Sequence, residues 1–80
     1  MTTFLVHTSP TCGRCTTLLN LMARRGIEHS TVDVTADPEA HARITALGYH
    51  ELPVTTRHDD AGNLIDHWPG YNPDKLRNAA

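Results

Sequence analysis

Cys12-Gly13-Arg14-Cys15 is the stretch of this 80-residue chain whose residue types and spacing suit covalent chemistry. Two thiols separated by two residues can close to a disulfide and reopen, which passes an electron pair with no bound cofactor. Other uses of the pair fit less well. As a structural staple it would close too small a loop to add much stability through chain entropy. A secreted scaffold would spread more than 2 cysteines along its length. A structural zinc site needs a second ligand pair, and the 6 histidines (His7, His29, His41, His50, His58 and His67) lack that spacing. The alternative from another class is a metal-binding module using Cys12 and Cys15 with His7 or His67.

Exchange chemistry needs a thiolate, so the element that carries the pair matters. Ser9-Pro10-Thr11 breaks the preceding apolar run and can start a helix, with Thr11 as its predicted N-cap. From there the apolar positions Cys15, Leu18, Leu19 and Met22 follow the i, i+3, i+4, i+7 stripe of an amphipathic helix. Arg24-Arg25 sit in its last turn and Gly26 follows as the C′ residue. Cys12 then lies at the helix N-terminus, where unpaired N–H groups and the macrodipole favour negative charge. Such placement lowers a thiol pKa from about 8.5 to roughly 3.5–7.5. Arg14 adds positive charge, and Gly13 offers no side chain to obstruct an approaching partner. Cys12 is the expected exposed nucleophile, and Cys15, on the core-facing stripe, the shielded resolving thiol.

The remaining elements must position this helix. Phe4-Leu5-Val6 reads as a buried strand and Thr31-Val32-Asp33-Val34 as a second. Asp37-Pro38 is an N-cap followed by proline at the first helical position; Ala40, Ile44 and Leu47 continue that helix until Gly48. Leu52 to Thr56 is a third strand, Asp59 to Asn63 a turn, and Leu64 to Trp68 a fourth strand antiparallel to the third. Asn72-Pro73 starts a short last helix carrying Leu76. The order β-α-β-α-β-β-α gives the α/β class: a parallel βαβ unit with right-handed crossover, then a hairpin, in a four-stranded mixed sheet flanked by three helices.

Three further positions have two readings each. Pro53 opens the third strand and is either an ordinary trans proline or a cis one that leaves backbone free to pair with an incoming peptide. Trp68-Pro69-Gly70-Tyr71 is either packing for the last helix or an aromatic docking patch. His7, at the end of the first strand, is expected to be a partly buried strand histidine rather than a group that tunes the thiols.

Composition excludes much else. A formal net charge of −2 offers no electrostatic basis for binding nucleic acid or anionic membranes. No apolar run approaches the roughly 20 residues that cross a bilayer, and the N-terminus lacks a signal-peptide pattern. One domain spanning residues 1–80, soluble, monomeric and cytoplasmic, is the expectation.

Val6 to Cys15 resembles the active-site segment of glutaredoxin-like proteins. Gly48-Tyr49-His50-Glu51-Leu52-Pro53-Val54 is similar to their approach to the cis-proline strand. Asp66 to Leu76, with its Trp68-Pro69-Gly70-Tyr71 and Pro73-Asp74-Lys75, resembles the ending of the NrdH-redoxins, and the three segments span nearly the whole chain. The resemblance implies a thioredoxin fold and a dithiol carrier that draws electrons from NADPH through thioredoxin reductase and passes them to ribonucleotide reductase. It also implies little or no glutathione binding and no bound cofactor. By position, Cys12 is the nucleophile, Cys15 the resolving thiol and Pro53 the cis-proline, while Trp68, Gly70 and Tyr71 shape the surrounding surface. Ser9 stands where many relatives carry a lysine that assists glutathione binding. Pro69 replaces a small polar residue, Gly13-Arg14 is an uncommon dipeptide, and the His58 to Asn63 turn is longer than in compact relatives. The alternative within the class is a glutathione- or mycothiol-dependent glutaredoxin.

Overall fold

Residues 2–76 are described by the structure, a computed structural model. Alternation along the first strand, β1 (Thr3–Thr8), sends Phe4 and Val6 to one face and Leu5 and His7 to the other. Helix α1 (Gly13–Arg24) covers the first face and buries Leu18, Leu21 and Met22. The stripe is therefore shifted slightly from expectation: Leu21 is in the core, while Leu19 packs at its margin. Strand β2 (Ser30–Asp33) runs parallel to β1, and helix α2 (Pro38–Ala46) packs Ala40 and Ile44 on the opposite face with Val34 and Val54. Strands β3 (Val54–His58) and β4 (Leu64–Pro69) form an antiparallel hairpin, with β3 also antiparallel to β1. The sheet order is β2-β1-β3-β4.

Both helices stop in the same way. At Gly26 (φ 68°) and Gly48 (φ 93°) the chain enters the left-handed region. The following residues, Ile27 and Tyr49, return N–H bonds to Met22 and Ile44 at 2.9 and 3.0 Å. These are Schellman closures, which a residue with a Cβ would strain.

The expected third helix is one 3-10 turn, Pro73–Leu76. Proline fits a first helical position, but only a single turn forms before the described chain ends. That turn still seats Leu76 in the core beside Trp68.

Candidate active site

The sulfurs are placed by the turn that leaves β1. Cys12 N–H donates to the Ser9 carbonyl at 3.2 Å, and Cys12 then takes the N-cap of α1 with extended backbone. Its Sγ accepts the N–H of Cys15 at 3.1 Å. Thr11, the expected cap, lies one residue too early because α1 begins at Gly13. The capping atom is a sulfur, outside the oxygen-bearing types by which caps are usually recognised. Cys12 is half-buried, whereas Cys15 is only 2% exposed. The two are joined as a disulfide with their Cα atoms 5.3 Å apart. Nothing approaches within 4 Å of the position a Cβ would take on Gly13, so this side of the pair is open.

A second wall comes from the chain entering β3. The Leu52–Pro53 peptide bond is cis, and the Pro53 carbonyl accepts the N–H of Gly70 at 2.7 Å. That bond ties the segment after β4, one residue before Tyr71, to the proline. Arg14, between the cysteines, faces Glu51 of the proline loop at 4.0 Å. Both side chains are well exposed, so the pair contributes at most about 1 kcal/mol and opens readily. Glu51 carried no signal in the sequence; only the fold brings it to Arg14.

The aromatic stretch divides between its two readings. Trp68 is buried, with its ring edge-on to Phe4 at 6.2 Å between centroids and the Lys75 ammonium over its face at 5.1 Å. Tyr71 is 43% exposed and available to a partner. A cleft of about 360 Å³ borders the proline loop, lined by Ser9, Thr35, His41, Tyr49, Glu51 and Leu52 among others, with no lysine or arginine in its wall.

His7 is more buried than expected, at 1% exposure, and points to the α2 side of the sheet. Its Nδ1 lies 2.9 Å from the Val54 carbonyl. Burial holds its pKa below the usual histidine value of 6.5; the Val54 bond opposes that shift, and the nearby positive charge of Arg43 and His58 adds to it. His67 is engaged by the Tyr49 hydroxyl at 2.7 Å. Among the described residues no three His, Cys, Asp or Glu side chains are grouped to hold a metal ion, so the Cys12, Cys15, His7 and His67 ligand set is not assembled. Nor is any described helix long and apolar enough to cross a membrane.

Residues 4–57 match the family model described as Glutaredoxin. The chain belongs to the glutaredoxin family. The Escherichia coli (strain K12) glutaredoxin-like protein NrdH is 31% identical over 71 residues, covering 89% of this chain and 80% of that protein. A thioredoxin-like protein of Bacillus subtilis (strain 168), YosR, derived from the SPbeta prophage, is 34% identical over 67 residues, covering 84% of this chain and 80% of its own. The solved E. coli NrdH-redoxin, a glutaredoxin-like protein with a thioredoxin-like activity profile, superposes with a TM-score of 0.82 at 26% identity, over 98% of this chain and 95% of that one. This glutaredoxin is thus of the NrdH type, with a thioredoxin-like fold. It is a thiol-disulfide oxidoreductase whose redox-active group is the Cys12–Cys15 pair.

Proposed function

We propose that this NrdH-type redoxin is a cytoplasmic, monomeric dithiol carrier that reduces protein disulfides and is itself re-reduced by thioredoxin reductase. Its proposed acceptor is ribonucleotide reductase. The inequality of the two sulfurs carries the reading: Cys12 sits half-exposed at a helix tip and already accepts the Cys15 N–H at 3.1 Å, while Cys15 is buried beneath it. In the reduced state the same N–H and the helix dipole stabilise a Cys12 thiolate.

That thiolate attacks one sulfur of the partner disulfide, forming a Cys12–partner bond and releasing the other partner sulfur as a thiolate, which takes a proton. The Cys15 thiol loses its proton and attacks Cys12 Sγ, expelling the second partner sulfur. Two electrons have moved: the partner leaves as a dithiol and Cys12–Cys15 is oxidised. During docking, the backbone before Pro53, the Arg14 and Glu51 lips and exposed Tyr71 receive the partner segment.

Against glutathione as donor stands the cleft by the proline loop. Glutathione carries two carboxylates, and among the described residues this wall offers Glu51 and no Lys or Arg, its only basic side chains being His41 and His50. The test compares reduction of a protein disulfide by NADPH plus thioredoxin reductase with reduction by NADPH, glutathione and glutathione reductase. Turnover is expected in the first mixture. Turnover confined to the second overturns the assignment in favour of a glutathione-dependent glutaredoxin, and a parallel mycothiol mixture separates that donor in the same way.

A further inference from the structure

Helix α2 is too short to cover its side of the sheet. It buries Ala40 and Ile44 near Val34 and Val54, and the sheet continues past it through Leu5 and Thr56 to the start of β4. An apolar groove of about 280 Å³ is left there, floored by Leu5 and walled by Ile44, Leu47 and Leu64. Leu64 is 44% exposed, which leaves hydrocarbon in water at the groove edge. The polar groups in the wall all bear, or can take, positive charge or donate a proton. Arg43 enters from α2, His7 from β1 and His58 from β3, with the Thr56 hydroxyl 2.8 Å from His58 Nε2. No carboxylate lines the groove among the described residues, in a chain whose net charge is −2.

An apolar cleft with a few convergent polar groups is the ordinary make-up of a small-molecule site. We propose that this groove binds a medium-chain aliphatic carboxylate, its chain along Leu5, Leu47 and Leu64 and its head group at Arg43 and His58. The charges match in sign and place. Arg43 and His58 both disfavour a proton on buried His7, and an anion between them removes that repulsion. β4 contributes only Leu64 to the wall, and its His67 is engaged with Tyr49, so Arg43 and His58 are the charged or titratable groups that face the head group, with His7 buried behind them. The site lies across the sheet from α1.

The test uses octanoate, octanol and octylamine as probes on the oxidised full chain, followed by amide NMR shifts and calorimetry. Octanoate is expected to saturate and to move the amides of Leu5, Thr56, His58 and Leu64. Octanol and octylamine are expected to bind at least about tenfold more weakly, the loss of one charge-assisted contact. Arg43→Gln, at an exposed position that leaves the core intact, weakens octanoate by a similar factor, and Leu64→Asn weakens it without touching the charges. Octanol binding as tightly as octanoate overturns the proposal. So do shifts that map elsewhere, or no saturable binding at millimolar octanoate.

Discussion

Trp68 and Tyr71 stand three residues apart, and the structure assigns them opposite behaviour under substitution. Trp68→Ala removes a buried indole, which costs about 3–5 kcal/mol in cores of this kind. A chain of 80 residues has about 4–12 kcal/mol of stability in total, so this variant is near unfolding. Trp68→Phe is more informative. It loses about three ring atoms, or about 2 kcal/mol of apolar burial. It also deletes an indole Nε1–H that is buried with no hydrogen-bond partner among the described residues, and such an orphan costs about 1–3 kcal/mol. The two terms nearly cancel, leaving a net change of about 1 kcal/mol in either direction and a Tm shift of at most about 4–8 °C. Tyr71→Ala, at an exposed site, stays within about 0.5 kcal/mol but is expected to lower kcat/KM for protein disulfides and spare small ones. Urea unfolding followed by far-UV circular dichroism, beside insulin and small-disulfide reduction, separates these outcomes. If Trp68→Ala keeps its stability and loses only activity, or Tyr71→Ala unfolds the protein, the packing argument is wrong.

Cys12→Ser is expected to abolish turnover, and Cys15→Ser to accumulate a mixed disulfide visible by mass spectrometry; activity in Cys12→Ser would reverse the assigned roles. His7 has a lowered pKa in the folded state, so the unfolded chain binds more protons below its ordinary value of 6.5. Stability should be constant above that pH and fall as pH drops through and below it, and His7→Gln should remove this slope. Urea midpoints across the pH range check it. The carboxylates of Asp33, held down mainly by the Thr35 hydroxyl, and of Asp66, held down mainly by Lys75, also weaken the fold on protonation, but only at more acidic pH. Asp37→Ala removes the oxygen that accepts Ala40 N–H at 3.1 Å, for a loss of about 1 kcal/mol, read as a Tm decrease.

The elements legible in the sequence were those with their own local chemistry. Asp37-Pro38 announces a helix start, glycines at 26 and 48 announce helix ends, and Asp59 to Asn63 announces the hairpin turn, where the Asp59 carboxylate accepts the N–H groups of Ala61 and Asn63 at 2.9 Å. The cysteine spacing announced the redox pair. What escaped depends on contacts between distant segments. Glu51 reaches Arg14, and Gly70 reaches the Pro53 carbonyl, only after the sheet forms. His7 is sealed from solvent because β3 and α2 close over it, which no periodicity in β1 announces. Thr55 is similar: its hydroxyl is buried without a partner among the described residues, opposite Trp68 across the hairpin.

Strand β3 departs from the cysteine pole and β4 returns to it, so the tip joining them hangs at the far end of the molecule. Its exposed segment, Asp60 to Asn63, is anchored from one side by the Asp59 carboxylate. A graft there, whether a fluorophore, an epitope or an entire fused module, would project away from the docking partner. Length variation at this tip is therefore expected to leave disulfide exchange at Cys12 unchanged, and the molecule carries its handle and its working end on opposite poles.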